Sequence, residues 1–128
     1  MTHLPSALPV TFVLTADPEV TRPFYRDVLE LPLQSEDPFG TTFALAGGAI
    51  MRLTTLPGHV PQVHTVLGWS VPDIRAAIAG LKGKGVEFQI FDGFGQDEDG
   101  VWQTPDGSTK VAWFADPEGN GLSLSQFG

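Results

Sequence analysis

Apolar and polar positions alternate most clearly near the end of the chain. Two apolar runs, one from Lys110 to Ala115 and one from Gly121 to Phe127, flank the polar stretch Asp116-Pro117-Glu118-Gly119-Asn120. Asp-Pro starts a reversal, and Gly-Asn tolerates the positive φ that finishes it. The pattern predicts a β-hairpin. On its second strand Leu122 and Leu124 alternate with Ser123 and Ser125, so one face is apolar and the other small and polar.

Reading from the start, Met1 to Pro9 is predicted to be a loose arm with two prolines. Val10 to Thr15 is β-branched and aromatic, a strand by type. Asp17-Pro18-Glu19 then supplies a cap, a first-turn proline and an early acid, and Val20, Phe24, Val28 and Leu31 recur at near-helical spacing. Pro23 predicts an irregular first turn or a start delayed to Thr21, and Pro32 ends the helix. Ser35 to Gly40 reads as a polar loop. Thr41–Leu45 and Ala49–Leu53 read as strands joined through Ala46-Gly47-Gly48. Thr55 to Gln62 reads as a linker.

The order then repeats. His64–Val71 is a predicted strand, and Asp73 caps a helix with apolar positions Ile74, Ala77, Ile78 and Leu81. Gly83 and Gly85 stop it, and Val86–Ile90 is a predicted strand. A long acidic, glycine-bearing loop from Asp92 to Gly107, holding Val101 and Trp102, leads to the final hairpin. Val10 and Asp17 match Val66 and Asp73 at one constant offset. The pattern is thus a duplicated β-α-β-β-β unit. The expected class is α+β, in one domain over 1–128: a module over about 9–56, a linker at 57–62 and a second module over about 63–127.

Composition narrows the options. The chain of 128 residues is 41% hydrophobic, long enough to bury a core. It has no cysteine, which excludes disulfides and thiolate chemistry and makes a cytoplasmic location the expectation. No apolar run approaches a membrane span, and the first ten residues lack the pattern of a signal peptide. The formal charge of −8 argues against nucleic acid as a partner. Asp92, Asp97, Glu98, Asp99 and Asp106 read as a solvated acidic loop.

Three motifs in order, Phe24-Tyr25-Arg26-Asp27-Val28-Leu29-Glu30-Leu31, Val71-Pro72-Asp73-Ile74 and Trp113-Phe114-Ala115-Asp116-Pro117-Glu118-Gly119-Asn120, give the chain its likeness. It resembles the vicinal oxygen chelate superfamily, which contains glyoxalase I, extradiol dioxygenases, fosfomycin-resistance enzymes and bleomycin-binding resistance proteins. The resemblance implies two modules whose mixed sheets curl around a shared cavity, commonly in a homodimer. It does not fix the chemistry, since this fold hosts enzymes and plain binders.

Metal-using members take ligands from the first and last strand of each module, usually His, Glu or Gln. Carried onto this sequence, those positions fall on Val10, Val66, Ser123 and Arg52, or on Met51 instead of Arg52 if the register slips by one. None is a normal ligand for zinc, iron or manganese. No metal and no other cofactor is therefore expected. His64 complicates this: on a regular strand it shares a face with Val66 and offers a ligand or proton carrier, although a strand-end histidine is more often a surface residue.

Strand parity places Val10, Phe12 and Leu14 on the cavity side, with His64, Val66, Gly68 and Ser70 from the duplicate strand and Ser123, Ser125 and Trp113 from the hairpin. The candidate ligand-binding residues are Phe12, Arg52, His64, Ser70, Trp102, Trp113, Ser123 and Ser125. Apolar walls with few polar groups suit a small organic molecule. A core role for Phe12 and Trp113 stays open, since burying such a side chain is worth roughly 1.5–3 kcal/mol. Arg52 either anchors an anionic aromatic ligand or pairs with an acid such as Glu36 or Asp37, or reaches solvent. Two functions follow: a metal-independent binder of an aromatic or peptide-like molecule, or a metal-dependent glyoxalase- or dioxygenase-type enzyme with a displaced site using His64. A homodimer is expected; a nucleic acid or membrane partner is not.

Overall fold

The structure, a computed structural model, describes residues 2–128; Met1, part of the predicted arm, lies outside them. Between Pro61 and Gln62 the chain divides into two compact units. Each carries a four-stranded mixed sheet and one principal helix, so the class is α+β with two tandem modules.

The first unit contains β1 (Val10–Thr15), α1 (Pro18–Pro23), β2 (Leu33–Asp37), β3 (Gly40–Ala44) and β4 (Ile50–Thr55). The sheet order is β1-β4-β3-β2. β1 and β4 run parallel, with Phe12 opposite Arg52 and Val13 opposite Leu53. The other pairings are antiparallel. Alternation sends Val13, Thr15, Met51, Leu53, Phe43 and Thr41 to one buried face. Thr21 and Tyr25 cover it. Tyr25 lies 6.1 Å from Phe43, the Thr15 hydroxyl donates to Thr21 Oγ1 at 3.0 Å, and Arg22 Nε donates to Thr41 Oγ1 at 3.1 Å.

Several details differ from the pattern reading. Val20 is 54% exposed, and the buried stripe instead runs through Thr21 and Tyr25, one position over. Asp17 makes no side-chain cap. Pro23 leaves the first turn regular and acts at the far end: with no N–H to donate, it closes α1, and the chain widens into a π turn over Phe24–Val28. There Leu29 N–H donates to Phe24 O at 3.0 Å, and Glu30 leaves the helix at φ 58. The predicted loop at Ser35–Gly40 contains most of β2. None of the five β2 residues is buried, so no alternation marks it. Its register comes from the turn: Asp37 Oδ1 accepts from Phe39 N–H at 2.8 Å and Gly40 N–H at 3.1 Å.

The second unit contains β5 (Thr65–Ser70), α2 (Ile74–Lys82), β6 (Trp102–Gln103), β7 (Thr109–Ala115) and β8 (Gly121–Phe127), in the order β5-β8-β7-β6. Again the first and last strands run parallel and the others antiparallel. Asp73 caps α2 by accepting from Ala76 N–H at 3.1 Å. Ile74, Ile78, Leu122, Leu124, Ala112 and Phe114 form the buried face. Trp69 stacks on Phe114 at 6.5 Å, and Phe88 lies 5.3 Å from Phe114.

Val86–Ile90 is not a strand. Its backbone meets the sheet where Gln89 N–H donates to Trp113 O at 2.8 Å. The β7 edge next to it is taken by β6, from within the predicted loop. In the turn between β7 and β8 Gly119 takes φ 105, and Asp116 Oδ1 accepts from the N–H groups of Glu118, Gly119 and Asn120, each at 3.0 Å. Its Oδ2 accepts from Asn120 Nδ2 at 2.8 Å. Asp116→Ala strips these donors of a buried acceptor and should lower the unfolding free energy by about 1–3 kcal/mol in urea titration. Asp116→Asn should recover part of that. An unchanged midpoint for Asp116→Ala contradicts this role.

Candidate functional site

Opposite its helix, the sheet of the second unit presents a second face. Register fixes its members: Trp113 opposes Ser123, Val111 opposes both Ser125 and Trp102, Ser70 neighbours Ser125 and Gly68 neighbours Ser123. A Cβ at Gly68 would collide with Ser123 Oγ, so the glycine gives that hydroxyl its space. Two further rings reach this face from the segment after Ile90. Phe94 lies 5.4 Å from Trp113 and 6.3 Å from Trp102, and Phe91 lies 6.0 Å from Trp113 and 6.1 Å from Phe94. Most of these contacts are edge-on, the arrangement favoured by ring quadrupoles. Phe91 and Phe94 remain well exposed and the two indoles are half-buried. Four rings thus make a π-rich wall beside Ser123, Ser125 and Ser70.

Of the residues predicted from sequence, Ser70, Trp102, Trp113, Ser123 and Ser125 come together on this face. Phe91 and Phe94 were not among them. Their signal was the spacing Phe88, Phe91, Phe94 in a segment otherwise rich in glycine and acid.

Phe12 and Arg52 lie in the first unit, side by side on the face opposite Tyr25, with Phe12 62% exposed. Met51 and Leu53 are buried on the helix face, so the open position belongs to Arg52. Its charge is already matched. Nη1 donates to Asp37 Oδ2 at 2.9 Å and Thr42 Oγ1 at 2.8 Å, and Nη2 reaches Asp37 Oδ1 at 3.4 Å. The guanidinium bond, helped by the N–H groups of Phe39 and Gly40, holds the Asp37 carboxyl below the ordinary carboxylate range. Glu36 is engaged elsewhere, at 3.1 Å from Arg22.

His64 lies outside β5 and is exposed. A bulge between Thr65 and Leu67 breaks the alternation on which its shared face with Val66 and Gly68 depended. Its backbone carbonyl instead passes over Gly121, where a Cβ would stand 2.7 Å from His64 O.

The metal positions implied by the resemblance carry an aliphatic residue at Val10 and Val66, a cation at Arg52 and a neutral hydroxyl at Ser123. These do not fit a transition-metal ion, which takes imidazole, carboxylate or thiolate donors. Among the described residues no three His, Cys, Asp or Glu side chains converge to hold one.

Fold and motifs together define the class. The chain belongs to the Glyoxalase/Bleomycin resistance protein/Dioxygenase superfamily, whose model matches residues 7–124. Among solved structures it is similar to lactoylglutathione lyase from Agrobacterium tumefaciens, at 18% identity and TM-score 0.70, covering 95% of this chain and 94% of that one. It is also similar to TnmS3, an antibiotic binding protein from Streptomyces sp. CB03234, at 23% identity and TM-score 0.69, covering 95% and 96%. An integron cassette protein from the mobile metagenome of the Halifax Harbour sewage outfall matches at 18% identity and TM-score 0.73, covering 94% and 98%. At these identities the likeness is one of fold. A search of curated proteins finds no significant match. No helix among the described residues is long and apolar enough to cross a membrane.

The pairing of Arg52 has a measurable consequence. In Arg52→Ala the Asp37 carboxyl should titrate closer to its ordinary value of 3.8. A depressed folded-state pKa stabilises above the unfolded value and loses that effect as pH falls through the folded one. The variant should therefore be less stable near neutrality and converge with the native chain in acid. An NMR titration of Asp37 that is identical in both proteins contradicts the pairing.

Proposed function

We propose that this protein binds a small aromatic or peptide-like organic molecule on the open face of its second unit, without a transition metal. The observation that carries the reading is the convergence of Phe91, Phe94, Trp102 and Trp113 beside the serines. Indole and phenyl walls take flat ligands by stacking and edge contacts, while hydroxyls hydrogen-bond a polar rim. The donor set at the family's metal positions supports the metal-free part, and the superfamily's antibiotic-binding members make a binding role a natural one for the fold. The enzyme alternative through His64 has less support, because that side chain is exposed and belongs to no group of three His, Cys, Asp or Glu among the described residues. An anionic ligand anchored by Arg52 is not needed, since Asp37 already meets that charge.

A thermal-shift screen of planar aromatics and peptide antibiotics tests this. A compound at a hundred times its Kd should add about 2.7 kcal/mol of stability. Trp113→Ala should weaken every hit by about tenfold or more, while Arg52→Ala and added chelator leave affinity unchanged. Binding that is lost in chelator and restored by a transition metal favours the enzyme reading instead.

We also infer a cytoplasmic homodimer. The cysteine-free composition fits the compartment. Edge strands β1 and β2 in one sheet and β5 and β6 in the other leave backbone groups that a second copy can cover. Light scattering should give about twice the chain mass of 13.7 kDa. A monomer at micromolar concentration contradicts it.

A further inference from the structure

We propose that Arg75 is a positioning residue for the aromatic face, holding the Phe91–Gly100 segment in place from α2 without touching a ligand itself. The inference rests on the binding reading above. The segment has no strand pairing of its own, and Gly93, Gly95 and Gly100 reverse it at φ 75, 76 and 86. Such a segment has many conformations unless it is fastened.

Two fastenings are present. One is internal: Gln96 Oε1 accepts from Phe91 N–H at 2.7 Å, while Nε2 donates to Gln89 O at 2.9 Å and Gly100 O at 2.7 Å. This closes the segment on itself and, through Gln89, whose N–H donates to Trp113 O at 2.8 Å, joins its near end to β7. The other fastening ties it to the helix. Arg75 Nη2 donates to Asp97 Oδ2 at 2.7 Å and Nη1 to Asp99 Oδ2 at 3.1 Å, and Lys82 Nζ donates to Asp99 Oδ1 at 3.3 Å.

Asp97 is where the two systems meet. While Oδ2 takes the guanidinium, Oδ1 accepts from Asp99 N–H at 2.9 Å and Val101 N–H at 3.0 Å. Val101 is buried and immediately precedes Trp102. A shift of Asp97 therefore moves both Trp102, through Val101, and Phe94, through the closed segment. Phe94 is the ring that contacts both indoles. A guanidinium gripping two carboxylates fixes direction as well as distance, which an ammonium does less well.

Exposed ion pairs contribute little to global stability, so Arg75→Ala should fold with a Tm close to that of the native chain. Its tryptophans should be more accessible to acrylamide, and in about 1 M salt, where the screening length falls to roughly 3 Å, the native chain should move toward the variant. For an aromatic hit bound by the native chain, affinity should fall about twofold to thirtyfold, mostly through faster dissociation, with partial recovery in Arg75→Lys. Should Arg75→Ala fail to fold, Asp99→Asn removes one arm of the grip and carries the same expectations at smaller amplitude. Unchanged quenching, or changed quenching with unchanged affinity, overturns the proposal. Raised quenching in a chain that binds none of the screened compounds overturns the ligand reading and leaves the tether standing.

Discussion

In each unit the first strand pairs in parallel with the last, and the rest of the unit follows from that pairing. Parallel neighbours cannot be joined by a tight turn, so the chain must cross over, and the helix after the first strand makes the crossing. The helix covers one face and the hairpins complete the sheet beside it. The pairing also brings backbone close to backbone. A Cβ at Gly121 would strike His64 O across the parallel pair β5–β8, and at the antiparallel pair β3–β4 a Cβ at Gly40 would strike Leu53 O, so both strand ends require glycine. Once the helix face is filled by Val13, Phe43, Met51 and Leu53 in one unit and by Ile74, Phe114, Leu122 and Leu124 in the other, alternation within the strands turns residues such as Arg52, Trp113 and Ser125 to the opposite face. The aromatic face is the product of that division.

The acids do more than solvate. Asp37, Asp97, Asp106 and Asp116 each accept backbone N–H groups in a turn, and Asp37 and Asp97 also hold an arginine. Asp106 is the most strongly perturbed: the Ser108 N–H, then the Thr104 and Ser108 hydroxyls, push its carboxyl down to about 2. A chain with 15 acids and few regular elements in its long loops uses carboxylates where others use backbone pairing. This places the loop aromatics as well, since Asp97 ties the segment bearing Phe91 and Phe94 to α2.

Much of the fold was legible because its signals are local. The Asp73 cap, the apolar spacing of Ile74 and Ile78, and the Leu-Ser alternation of β8 each lie within one element. The open placement of Arg52 followed from the same alternation. Features set by distant partners were not legible. β2 carries no buried residue and exists by pairing with β3. The bulge that removes His64 from the Val66 face is a property of register with β8. Pro23 could be seen to disturb a helix, but not that it would stand at the end of α1 with a π turn beyond it. In the site, Trp113 and the serines were readable from parity, whereas Phe91 and Phe94 sit on a segment with no helix or strand and join the face through side-chain tethers.

The three tryptophans permit a direct test of the central claim that the open face of the second unit is the ligand surface. Trp102 and Trp113 lie on that face, while Trp69 stacks on Phe114 on the helix side and serves as an internal control. Indole N–H resonances of ¹⁵N-labelled protein should be followed while an aromatic ligand is titrated in. The account predicts saturable shifts at Trp102 and Trp113 with a common Kd and little change at Trp69. Saturable binding that leaves Trp102 and Trp113 unmoved would contradict it.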